Sequence, residues 1–148
     1  MHYVTEALLV GNVEDARCPP AFVRSLLFVA EEHRVPPPPG VRFERIPLKE
    51  YGEADPVSVL QAVEWLEREA ADGKVMVCCR AGMGRSVSMV IAYLCCVRAM
   101  PYTEAVNLLT ARRPGASPLP NLEATIQKVH TLRQAGAGAR PGPGDRLK

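Results

Sequence analysis

The stretch "CCRAGMGRS", Cys78 to Ser86, constrains the fold of this chain more than any other. It separates a short apolar run, Val75-Met76-Val77, from a long apolar segment that opens at Val87. A buried strand needs roughly four to eight apolar residues and a helix about ten or more, so the order reads strand, tight loop, helix. When such a loop curls about a centre, the backbone N–H groups of Arg80, Ala81, Gly82, Met83, Gly84 and Arg85 have no intrahelical partners and point inward together. Converging N–H groups at the positive end of a helix dipole form an anion site. Gly82 and Gly84 permit the backbone angles that the curl needs. The planar fork of Arg85 can hold two anionic oxygens. Cys79, at the base of the cradle, lies in the same field, which favours the nucleophilic thiolate. Ser86 follows at the helix start, where its hydroxyl can donate to the sulfur as it becomes a leaving group.

The rest of the chain places this loop. Residues 3–12 read as a strand or hairpin ending at Gly11-Asn12, and residues 13–23 as a short helical or irregular piece broken by Pro19-Pro20. "SLLFVA" is a buried strand. In "RVPPPPG" the four prolines favour polyproline II, read as a stiff connector or else as a ligand for a proline-recognition domain. "VRFERI" alternates, with Val41, Phe43 and Arg45 on one face, as an exposed strand does. Asp55-Pro56 supplies an N-cap and a first-turn proline for a helix whose apolar stripe is Val59, Leu60, Val63 and Leu66. Helices are expected from about Ser86 to Met100, from Pro101 to Pro114, and along Leu122, Ile126, Val129 and Leu132. Strands alternating with helices predict an α/β fold, a mostly parallel sheet of four to five strands flanked by helices. The ligand crevice of such a sheet lies beyond the carboxyl ends of its strands, which is where residues 79–86 fall. One domain is expected over residues 1–134, followed by a disordered Gly/Pro-rich tail over 135–148 with nothing to bury.

Bulk properties narrow the function. A formal charge of +2 on 148 residues argues against a nucleic-acid partner. The apolar stretch Val87 to Val97 falls well short of the roughly 20 residues that span a bilayer, so no membrane insertion is expected. The five cysteines fall as Cys18 and two adjacent pairs, a poor disulfide framework that points to a reducing, cytoplasmic setting. Cys78 is read as a buried thiol, Cys95 and Cys96 as helix packing, and Cys18 as a semi-buried loop residue. His2, His33 and His130 show no metal spacing and are read as surface residues. Trp65 is read as packing or lying half-exposed on its helix rather than receiving substrate. Arg80 is open between a solvated side chain and a basic wall beside the phosphate.

Cys79, five residues, Arg85 and Ser86 resemble the signature of the cysteine-dependent dual-specificity phosphatases, within the protein tyrosine phosphatase superfamily. The resemblance extends through "EALLVGNVEDA", "SLLFVAEE", "RIPLKEY" and "MPYTEAVNLLTARRPGASPLPN", covering residues from about 3 to 133. It implies a phosphatase P-loop between a buried strand and a helix, a phosphocysteine intermediate and no metal or other cofactor. It also implies a phosphorylated protein substrate and a monomeric enzyme acting on phosphotyrosine and phosphoserine or phosphothreonine. The chain departs from the family twice. Cys78 stands where the family has a histidine that organises the loop. The family's general acid is an aspartate, and the matching position here is Glu50, with Asp55 and Glu53 as alternatives. Two other readings stand beside this one. One is a phosphatase of the same fold acting on phosphoinositides, phospholipids or phosphoglucans; the other is a catalytically weak module that binds phosphorylated partners.

Overall fold

Five strands form one sheet in the order β1-β2-β5-β3-β4 in the computed structural model, which describes residues 1–139. They are β1 (His2–Tyr3), β2 (Leu8–Gly11), β3 (Ser25–Ala30), β4 (Arg42–Leu48) and β5 (Val75–Cys78). β1 runs antiparallel to β2, and the other three pairings are parallel. β2, β3 and β5 are buried along their whole length, as continuous apolar runs in a parallel sheet must be. The helices are α1 (Val13–Arg17), α2 (Pro56–Ala70), α3 (Arg85–Cys96), α4 (Tyr102–Arg112) and α5 (Leu122–Ala139). Every residue of α3 from Arg85 to Cys95 is buried, because α2, α4 and α5 pack around it and the sheet covers the remaining side.

β4 departs from the simple alternation of "VRFERI". Phe43 and Arg45 are half-buried, yet the buried residues further on are Ile46 and Leu48. A bulge causes the change of phase: Phe28 pairs with Arg45 and Ala30 with Leu48, so two steps of β3 face three of β4. The strand also continues through Pro47, which an edge strand tolerates because it needs no N–H on its open side.

Other boundaries moved less. α3 stops at Cys96 rather than Met100. α5 runs to Ala139, past the expected limit at 134. Leu132, expected on its apolar stripe, is exposed. Cys18 is exposed rather than semi-buried, while Trp65 is buried. Residues 140–148 of the expected tail lie outside the described residues. Among the described residues, no helix is long and apolar enough to cross a membrane.

Candidate active site

Parallel pairing puts the carboxyl ends of β2, β3 and β5 side by side, and the loop 79–84 leaves the sheet there before entering α3. Gly82 sits at φ +73°, a left-handed conformation. A Cβ at that position would lie 2.6 Å from Gly11 O and from Arg113 Nη2, so both conformation and space require glycine. Gly84 differs. Its φ is −116° and a Cβ would meet only Ser117 O at 3.5 Å, so the curl depends on one glycine and not two. Gly84 caps α3 without a side chain, which leaves the first N–H groups of the helix available to an anion.

Cys79 is buried at the base of this loop. The Gly82 N–H donates to its Sγ at 3.2 Å, and the thiol lies 3.3 Å from Ser86 Oγ, to which it can donate. Once the thiol proton leaves, the hydroxyl becomes the donor, so the sulfur keeps two hydrogen bonds in its charged form. Burial pushes the Cys78 thiol well up, and it pushes Cys95 and Cys96 up to about 11. Thiols raised in this way stay protonated at neutral pH and are poor nucleophiles.

Arg85 is only 3% exposed, and its guanidinium is already partly engaged. Nη1 donates to Glu32 Oε1 at 2.5 Å and to Leu48 O at 3.0 Å, and Nη2 donates to Glu32 Oε2 at 2.7 Å. These bonds use three of the five donors of an arginine. Nε–H and the second N–H of Nη2 remain, side by side on one edge of the fork, which is the geometry for two oxygens of a phosphate. The Arg85 hydrogen bond holds Glu32 down from 4.5 to about 2. A depressed carboxylate contributes stability that is complete above its unfolded value and disappears as pH falls through the folded one. Glu32→Gln is therefore expected to melt below the parent at pH 7, with the gap narrowing from about pH 4.5 towards about pH 2. Thermal melts across that range measure it. The Glu32 side chain is 37% exposed, so added salt should also reduce the gap.

Of the three carboxylates considered as general acid, only Glu50 faces this loop. A cavity of about 360 Å³ is lined by Glu50, Cys79, Arg85 and loop residues Ala81, Met83 and Gly84. Its outer wall is Tyr51 with Ser117 to Pro120. Asp55 instead caps α2, accepting from the N–H and hydroxyl of Ser58 at 3.2 Å. Glu53 accepts from Asn121 Nδ2 at 2.9 Å. The Arg80 side chain is 58% exposed, and its Nη1 lies 3.5 Å from Glu50 Oε2, so its charge sits beside the carboxylate and not in the cradle.

The dual specificity phosphatase catalytic-domain family matches residues 30–131. The chain belongs to this family. Over 77 residues it is 31% identical to the mouse protein tyrosine phosphatase domain-containing protein 1, a match covering 52% of this chain and 10% of that protein. The structure of human DUSP28 superposes with a TM-score of 0.72 at 26% identity, covering 92% of this chain and 99% of the other. A mouse putative dual specificity phosphatase complexed with zinc tungstate gives 0.74 at 27% identity, over 92% and 89% of the two chains.

In this dual specificity phosphatase domain two residues bear on the loop that sequence reasoning did not single out. Glu32 is one, 53 positions from Arg85. The buried Arg113 is the other. It donates from Nε to Gly82 O at 3.1 Å and from Nη2 to Ala81 O at 3.2 Å. Its Nη1 also lies 2.8 Å from the ring Nδ1 of His2. By holding the carbonyls outside, Arg113 turns the N–H faces of those peptides inward. The only sequence signals were the position of Glu32 just past a strand's carboxyl end and the "RRP" run around Arg113.

Proposed function

We propose that this domain hydrolyses phosphomonoesters on protein tyrosine, serine or threonine through a phosphocysteine intermediate. One observation carries the reading: a buried sulfur, hydrogen-bonded to the Gly82 N–H and the Ser86 hydroxyl, shares one cavity with the Arg85 guanidinium and the Glu50 carboxyl group. The Cys79 sulfur attacks phosphorus, and the bond to the leaving oxygen breaks. The N–H groups of residues 80–85 and the free edge of Arg85 take up the phosphoryl charge. Glu50 delivers its proton to the leaving oxygen and then, as carboxylate, accepts one from the water that cleaves the sulfur–phosphorus bond. Ser86 donates to the departing sulfur. The tungstate in the mouse relative's structure, an oxyanion of phosphate-like charge, supports an anion site on this fold. The cycle calls for no metal.

Glu50→Gln is expected to lower turnover of para-nitrophenyl phosphate by roughly 10²-fold and to remove the limb of the pH–rate profile that reports the acid. Asp55→Asn should leave the rate unchanged, since asparagine caps a helix as well as aspartate does. The reverse pattern would move the acid role to Asp55. The cavity wall beyond the cradle is Tyr51, Met83, Pro118, Leu119 and Pro120, which suits an aromatic leaving group better than a polyol. Assaying phosphotyrosine peptides beside phosphoinositides and amylopectin tests this preference, and faster turnover of either polyol would favour the lipid or glucan reading.

A further inference from the structure

The segment from Arg34 to Gly40, between β3 and β4, takes no part in the chemistry above. Covalent geometry dictates its shape. The proline ring holds φ near −65° at Pro36, Pro37, Pro38 and Pro39. Val35, Pro36, Pro37 and Pro38 each precede a proline, which pushes their ψ to extended values. The result is polyproline II, a left-handed helix of three residues per turn. Burial follows that period: Val35 and Pro38 are buried, whereas Pro36, Pro37 and Pro39 are exposed. One edge of the helix is thus fastened to the domain, and Pro36 and Pro39, one turn apart, share an edge that faces solvent. Pro39-Gly40 then closes the segment as a type II turn, with Gly40 at φ +75° and Val41 N–H donating to Pro38 O at 3.3 Å. Arg34 is exposed at the other end.

Two outward prolines spaced by three, with a cation at one end, form the element that aromatic-lined proline-recognition grooves bind. We propose that Arg34 to Pro39 is a docking segment for a domain of the SH3 class. The partner's aromatic slots receive Pro36 and Pro39, and an acidic patch beside them receives Arg34. Because ring geometry and the Val35 and Pro38 anchor fix the helix beforehand, little conformational freedom is lost on binding. Being a stiff connector and being a ligand are compatible, since they use different edges of one helix.

The test is a titration of the ¹⁵N-labelled full chain with isolated SH3 domains whose grooves are flanked by acidic residues. The amide signals of His33, Arg34, Val35, Gly40 and Val41 are expected to shift. In a Pro36→Ala, Pro39→Ala double variant the affinity should fall about tenfold or more. Thermal melting and para-nitrophenyl phosphate turnover should match the parent, because both side chains are exposed and neither lines the cavity. Arg34→Glu should weaken binding, and salt should weaken binding of the parent more than of this variant. Absence of shifts in residues 33–41, binding that survives the double substitution, or a response to WW domains with none to SH3 domains would each overturn the proposal.

Discussion

Replacing Cys79 with serine is expected to reduce para-nitrophenyl phosphate turnover by about 10⁴-fold or more. The substitution changes almost nothing in volume. It leaves the Gly82 N–H and the Ser86 hydroxyl where they are, 3.2 and 3.3 Å from the atom exchanged. What changes is the atom: a hydroxyl oxygen ionises far less readily than a thiol and is a much weaker nucleophile in the same surroundings. The cradle itself should survive. The serine variant is accordingly expected to bind tungstate or vanadate with near-parental affinity while failing to turn over substrate. Rapid quenching of the parent enzyme should trap phosphorus on the Cys79 sulfur. Equal rates in parent and variant would remove the phosphatase reading, and loss of anion binding together with activity would indicate a collapsed loop.

Arg85→Lys should cost about 10²- to 10³-fold in kcat/KM, the scale of losing one preorganised donor to developing charge. Charge is conserved, so a purely coulombic role would be largely preserved. Geometry is not conserved. A lysine ammonium cannot face Glu32 with two parallel N–H groups, reach Leu48 O and still present an edge to the phosphoryl oxygens. Glu32, no longer neutralised bidentately, would then stand as an anion beside the incoming dianion. The loss should therefore appear in KM as well as kcat. A double variant, Arg85→Lys with Glu32→Gln, should recover part of the KM component. No recovery would mean that Glu32 positions the guanidinium without influencing substrate charge.

What could be read in advance followed from how local the determinants are. β5 and α3 are continuous apolar runs, and α2 announces itself through Asp55-Pro56, so each depends on neighbours within a few residues. The nucleophile loop was equally legible, because turn, donor array and cysteine lie within one short stretch. β4 was harder: its apolar phase changes where the partner strand, not its own sequence, introduces a bulge. Glu32 and Arg113 were harder still. Their partners lie 53 and 31 positions away, and a carboxylate in "AEE" or an arginine in "ARRP" looks like ordinary solvated charge until the chain has folded. Gly84 erred in the other direction, since a glycine that could adopt unusual angles was credited with doing so, and its φ is unremarkable.

Arg85 also reaches Leu48 O, two residues before Glu50 on the same strand end. One guanidinium thus grips the backbone that carries the proposed acid, so the position of Glu50 is tied to the nucleophile's side of the cleft. Arg85, anchored in the central helix, and Arg80, beside Glu50, both tie this segment to the Cys79 loop. The carboxyl end of the edge strand is thereby pinned at the point nearest the cradle.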